Sequence, residues 1–331
     1  MRQFELVDRG QIRWNPDAPV PAVGPDQVLV RVHACTVCNR SDLVYFYYRG
    51  LREHCAAGCF GHEISGVVEE AGPAVRNVRP GRRVFVRTPL TSGFADYALA
   101  REVSVGILPE NIPFAQGAIL QLLPLAVHAT RGVRLGDRVA IIGQGPVGLM
   151  ALQVVRLRGA AGIVVADLDA WRLLRSSALG ADECVEVDGS AEQLRSIGAD
   201  FDVAIDAVGT PRTARACVDV VTQGGLVVFL GTHHVDTRVT FDLVQWEKKG
   251  LRVHSSAEPT DAVRTQALGT AVRLVEEHRI RVAELLTHTY TLEELPSALA
   301  RLSDSGILAP AGEDTGCTGP PHQVLKIAIC P

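Results

Sequence analysis

The sequence predicts an α/β protein: a β-rich domain interrupted by a doubly wound parallel-sheet domain. Three observations carry this expectation: strand–helix alternation from Leu135 onward, a glycine-rich turn joining the first such strand to its helix, and strand-like alternation before about residue 125. At 331 residues the chain exceeds one ordinary core. The boundaries fall at 1–124, 125–257 and 258–331, with the first and third segments sharing one domain. A net charge of −4 gives no electrostatic ground for nucleic acid or an anionic membrane as partner. The longest apolar stretches, such as Gly117–Val127, fall short of the ~20 residues of a membrane span. Met1–Glu5 has no apolar core of a signal peptide, so a cytoplasmic chain is expected.

In the inserted domain, Arg138–Ile142 is a short continuous apolar run, as a strand buried on both faces requires. Gly143-Gln144-Gly145-Pro146-Val147-Gly148 follows at once, then a helical pattern through Leu149, Leu152 and Val155. Gly143 suits a tight turn, Gly145 lets a pyrophosphate approach the backbone, and Gly148 lets the helix pack closely on the sheet. Pro146 and Val147 open the helix whose N-terminus faces the phosphates. A second strand, Ile163–Ala166, ends at Asp167, close to the ~20-residue spacing of a ribose-binding acid. A carboxylate there accepts hydrogen bonds from the ribose hydroxyls and repels a 2′-phosphate, favouring NAD over NADP. Arg172 would soften that discrimination. The alternative for Asp167 is a solvated acid at a strand end.

Further strands are expected at Glu183–Val187, Phe201–Asp206, Leu226–Leu230 and Leu251–Ser255, completing the six of a Rossmann sheet. Helices near Leu173–Leu179 and Ala214–Val221 separate several of them. Gly224-Gly225 and Gly231-Thr232 bracket one strand, and either bring backbone near a cofactor or serve as turn glycines.

Before residue 125, Val28–Val32, Val67–Glu69, Arg83–Val86 and Phe94–Leu99 read as strands. Their loops hold the polar chemistry. Gly61-His62-Glu63-Ile64-Ser65-Gly66 resembles the G-H-E-x-x-G signature of zinc-containing medium-chain alcohol dehydrogenases. Cys38-Asn39-Arg40-Ser41-Asp42 resembles that family's catalytic-cysteine loop. Pro80–Val84, Gly93–Tyr97 and Val324–Ile327 match in order, so the resemblance spans nearly the whole chain.

The resemblance implies a GroES-like catalytic domain and one catalytic zinc. Cys38 would supply a thiolate and His62 an imidazole, with Glu63 binding directly or through water; this suits a metal that keeps an open position for substrate oxygen. A further ligand in related enzymes lies in a Gly-Ala-x-x-Glu-Pro-type segment. Here Gly117–Gln121 puts Gln121 in that place, where it either ligates as a neutral amide or only hydrogen-bonds nearby. Asp42 would orient the His62 ring, and Ser41, one residue later than the family's usual hydroxyl, would pass a proton outward. Alternatively both cap a helix starting at Leu43. His128, within an apolar run, is expected to be a core histidine, and Tyr45–Tyr48 packing.

The chain has eight cysteines. No cysteine lies between Cys59 and Cys184, so the four-cysteine structural-zinc lobe of many relatives is absent. Cys35, Cys38, Cys55 and Cys59 could imitate such a site, although Cys38 is wanted by His62 and Glu63. The expected activity is oxidation of a secondary alcohol on a polyol, sugar or cyclitol, by hydride transfer to NAD in a cleft between the domains. By resemblance, a homodimer or homotetramer is implied. The rival readings are a zinc-free enone or quinone reductase of the same fold, and a dinucleotide-sensing protein with a structural zinc.

Overall fold

The computed structural model describes residues 1–49, 60–231, 238–304 and 323–331. They divide into two units, Met1–Pro124 with Thr260–Pro331, and Leu125–Pro259. Cys55, Cys59, Cys317, Thr232 and the glycine- and proline-rich run from 309 to 322 lie outside the described residues.

The second unit is built on six parallel strands: Arg138–Ile142, Gly162–Asp167, Glu183–Glu186, Phe201–Asp206, Val221–Phe229 and Arg252–Ser255. Their spatial order is third, second, first, fourth, fifth, sixth, all in parallel register. This is the doubly wound Rossmann order, in which the first and fourth strands meet at the topological switch point. Val139, Ala140 and Ile141 are fully buried, as a central strand covered on both faces demands. The helix Pro146–Leu157 buries Gly148 to Val155 continuously.

Two details differ from the sequence expectation. The fifth strand begins at Val221, and its register shifts between Phe201↔Val221 and Val203↔Leu226. Gly224 sits there at φ +68° and a Cβ on Gly225 would meet Val221 Cγ2 at 2.4 Å. These glycines form a bulge at the amino end of the strand, opposite the carboxyl ends where such sheets bind ligands. The second difference is that a Cβ on Gly148 would lie 2.0 Å from the carbonyl oxygen of Gly143, so this glycine admits the turn rather than the sheet.

In the first unit one sheet runs in the order Leu286–Thr291, Lys326–Cys330, Gln27–Thr36, Glu63–Ala71, Arg83–Val86, Val105–Ile107, with Tyr97–Arg101 also paired to Gln27–Thr36. A separate hairpin joins Gln3–Asp8 to Gln11–Asn15. Val28, Val30, Val32, Ile64, Val84 and Phe94 pack the core on one side of these strands. Along Gln27–Thr36 only Arg31 is exposed, so this central strand is covered on both faces over most of its length.

The register decides what meets at the sheet's end. Thr36 faces Glu63 on one side and Ala328 on the other, and Val37 N–H donates to Ile327 O at 2.9 Å. Residues just past Thr36, just before Glu63 and at Lys326 therefore converge, although they are remote in sequence. A helix over Phe114–Ile119 packs on both central strands, with Ser65 Oγ donating to Phe114 O at 2.5 Å.

Candidate metal centre and dinucleotide turn

The convergence puts Cys38, His62 and Glu63 together: their ligand atoms lie within 4.8 Å of one another. No other such group of histidine, cysteine or acid donors occurs among the described residues. Gly61 precedes His62 at φ +70°, and a Cβ there would press to 2.8 Å on the Phe94 ring, so the turn into the His-Glu pair needs glycine.

Asp42 ties the two donor loops. One carboxylate oxygen accepts Cys38 N–H at 2.7 Å, the other accepts Gly61 N–H at 2.8 Å, and His62 Nδ1 stands 3.7 Å away. The helix here starts at Ser41, not Leu43, and its N-cap Arg40 makes no side-chain cap. Asp42 thus bridges loops instead of capping. Burial pushes its carboxyl up to about 6, against the opposing pull of His62. Ser41 is half-buried at the first helical position.

Burial works to lower His62, but the charge and hydrogen bond of Cys38, helped by Asp42 and Glu63, push the imidazole up to about 10. Burial and the Glu63 charge work to raise the Cys38 thiol, yet the net direction is downward because of His62 and Lys326. The two shifts share a cause, since each charged form favours the other. A divalent cation would need to displace one proton to gain both donors.

Glu63 has partners that the sequence did not disclose. Lys326 Nζ donates to both of its oxygens at 2.7 Å, and Thr36 Oγ1 donates to Oε2. Lys326 is 1% exposed and also donates to Val37 O at 3.1 Å. The signal was present as a lone lysine in the apolar run Val324–Ile329, since a buried lysine is almost always paired.

Gln121 is 3% exposed between two helices. Its Nε2 donates to Arg87 O at 3.1 Å, and its Oε1 has no hydrogen-bond partner among the described residues. The Cys38 sulfur, the His62 imidazole and the Glu63 carboxylate make a donor set that fits zinc. Cys35, by contrast, is fully buried in the core cluster, where burial raises its thiol well above the usual range. His128 is half-buried, and burial lowers its imidazole. Tyr45, Phe46 and Tyr47 pack against the core.

In the second unit, Gly143 turns at φ +94° directly after the first strand. Gly145 caps the helix Pro146–Leu157 without a side-chain cap, Pro146 is at its start, and nothing lies within 4 Å of where a Gly145 Cβ would be. The uncapped amides and the open space beside Gly145 form a cradle that fits a pyrophosphate. Asp167 accepts Gln144 N–H at 2.6 Å on one oxygen and Asp169 N–H at 3.0 Å on the other, which leaves lone pairs for further donors. Burial raises its carboxyl, opposed by Arg172. Arg172 stands 3.8 Å from Asp167 and 3.6 Å from Asp169, shared between two acids.

Comparison with known proteins finds relatives of both units. Residues 24–121 match the alcohol dehydrogenase GroES-like domain and residues 146–277 match the zinc-binding dehydrogenase family. Sorbitol dehydrogenase of Homo sapiens is 27% identical over 316 residues, covering 83% of this chain and 85% of its own. Zinc-dependent alcohol dehydrogenase 2 from Streptococcus pneumonia superposes with a TM-score of 0.83 at 24% identity, covering 100% of this chain and 98% of its own. A zinc-binding dehydrogenase from Sinorhizobium meliloti 1021, solved bound to NADP, gives 0.79 at 23% identity over 100% and 99% of the two chains.

Proposed function

This chain belongs to the zinc-binding medium-chain alcohol dehydrogenase family, and from that premise we propose that it oxidises a secondary alcohol of a polyol, sugar or cyclitol to a ketone, reversibly, with one zinc ion and NAD. The observation that carries this reading is the meeting of Cys38 and His62 donor atoms beside Glu63. The sorbitol dehydrogenase relatives favour the polyol class. When bound, the metal supplies Lewis acidity that makes a hydroxyl more acidic, and the nicotinamide accepts the hydride.

The chain's own residues would supply the rest. Cys38 and His62 anchor the metal, and Glu63 and Gln121 are the candidates for a further donor. Asp42 orients His62 and fixes the Cys38 loop. Ser41 is the hydroxyl nearest in sequence for taking the substrate proton outward. In the second unit, Gly143, Gly145 and Gly148 shape the turn, while Pro146 opens the helix and Val147 offers an uncapped N–H to the pyrophosphate. Asp167 takes the ribose hydroxyls. Arg172 is held by Asp167 and Asp169, which limits its service to a 2′-phosphate and supports NAD as the preferred cofactor.

The test is metal content and turnover measured together. About one zinc per chain is expected, lost in Cys38→Ala and in His62→Ala, with NAD reduction on a polyol panel abolished in both. Full turnover by metal-stripped protein would sink the reading in favour of a zinc-free reductase. Zinc bound without turnover on any alcohol or ketone would favour a sensing role.

A further inference from the structure

Lys326 has no task in the scheme above. It begins the strand Lys326–Cys330, is almost wholly buried, and holds the carboxylate of a residue adjacent to a metal donor. A buried ion pair is costly to desolvate and often adds little stability over an apolar pair of the same volume. Its presence beside His62 therefore calls for an account in terms of the site.

An ionised carboxylate offers about four acceptor directions. Lys326 takes one on each Glu63 oxygen at 2.7 Å, and Thr36 takes another on Oε2. The ammonium is itself fixed: it donates to Val37 O, while Val37 N–H donates to Ile327 O. Glu63 thus already has its countercharge, while one of its oxygens lies within 4.8 Å of the Cys38 and His62 donors. Gln121 is in the opposite condition, with a buried Oε1 that has no partner among the described residues. Its Nε2 is fixed on the Arg87 carbonyl, and the antiparallel register Ile64↔Val86 sets Arg87 across from Glu63. The Gln121 side chain is thereby tied to the strand end beside Glu63.

We propose that Lys326 is a positioning residue that reserves the Glu63 carboxylate for itself, so that the metal's protein ligands are Cys38, His62 and Gln121. This rests on the zinc site proposed above. With one thiolate and two neutral ligands, a divalent ion keeps a formal charge of +1, where direct carboxylate ligation would cancel it. The site gains Lewis acidity and gives up some metal affinity.

The experiment uses the full chain, stripped of metal and reloaded with Co2+, with the visible spectrum and the competition affinity read for each variant. Cobalt absorption weakens as coordination rises from four to five. In Lys326→Met, the freed Glu63 joins the metal: absorption weakens, and affinity rises about tenfold or more. Lys326→Met/Glu63→Gln restores the wild-type spectrum and affinity to within about threefold, and Lys326→Arg keeps the wild-type spectrum. Gln121→Ala lowers affinity on the order of tenfold to hundredfold. Lys326→Met leaves a buried carboxylate unpaired and risks misfolding; the double variant buries no charge and decides by itself. A double variant whose spectrum has lost a ligand overturns the proposal, as does wild-type affinity in Gln121→Ala. Wild-type protein that binds neither Co2+ nor Zn2+ overturns this proposal and the zinc reading with it.

Discussion

The Asp42 carboxylate accepts one N–H from the cysteine loop and one from the histidine loop, so a single side chain sets the spacing of two donors. In Asp42→Asn one of those N–H groups would face an amide NH2, leaving a buried donor unpaired at a cost of about 1–3 kcal/mol. The His62 ring would also lose its anionic neighbour. Urea midpoints should fall accordingly, and zinc affinity by competition should drop on the order of tenfold to hundredfold; unchanged affinity in a folded variant would remove Asp42 from the site. A second residue gives a pH dependence. Hydrogen bonds from Asn15, Arg13 and Gln3 pull the Glu5 carboxyl down to about 2. Its folded pKa lies below the unfolded value of about 4.3, so the stabilisation is complete above about pH 5 and drains away as the pH falls toward 2. Glu5 is partly exposed, and solvent screening reduces the contribution to about 1 kcal/mol. Glu5→Gln should be less stable than the parent by that amount at pH 7, and equal to it near pH 2, in paired urea titrations.

At the scale of elements, the glycine turn offers a clean division of labour. Gly145 faces open space at φ −70°, which alanine adopts readily. Gly145→Ala should change stability by less than about 1 kcal/mol while weakening NADH binding about tenfold or more, because a methyl would stand where the pyrophosphate approaches. Gly148→Ala puts a methyl 2.0 Å from the Gly143 carbonyl oxygen and should cost about 1–3 kcal/mol without any ligand present. Fluorescence titration and thermal unfolding separate the two, and an equal stability loss in both would sink the assignment of roles. The same turn shows why much of this fold was legible in the sequence. Strands covered on both faces, such as Arg138–Ile142, must be continuous apolar runs, and the glycines between strand and helix have no other easy use. What the sequence hid had little local signature, or only part of one. The hairpin strand Gln11–Asn15 exposes or half-exposes every residue, and the helix Ala191–Ser196 buries only Leu194. The Glu63–Lys326 pair joins residues 263 apart, through strand register that only the folded sheet reveals.

For the whole molecule, the chain path has a thermodynamic consequence. The first unit is discontinuous: it leaves at Pro124, returns at Thr260, and seats Lys326–Cys330 between Leu286–Thr291 and Gln27–Thr36. Cys38, His62, Glu63, Gln121 and Lys326 all belong to it, while Gly143, Gly145, Asp167 and Arg172 all belong to the second unit. A ligand stabilises the unit that holds its contacts, and a chain with two cores need not unfold in one step. Calorimetry should therefore show two transitions that respond to different ligands. NADH at about a hundred times its dissociation constant contributes about 2.7 kcal/mol and should raise one transition by roughly 5–10 °C. Chelation should lower the other, because metal binding is linked to folding of the unit that presents its donors. If both treatments move a single transition together, the two units unfold as one cooperative body, and the ligand sites cannot be assigned to separate units on thermal grounds.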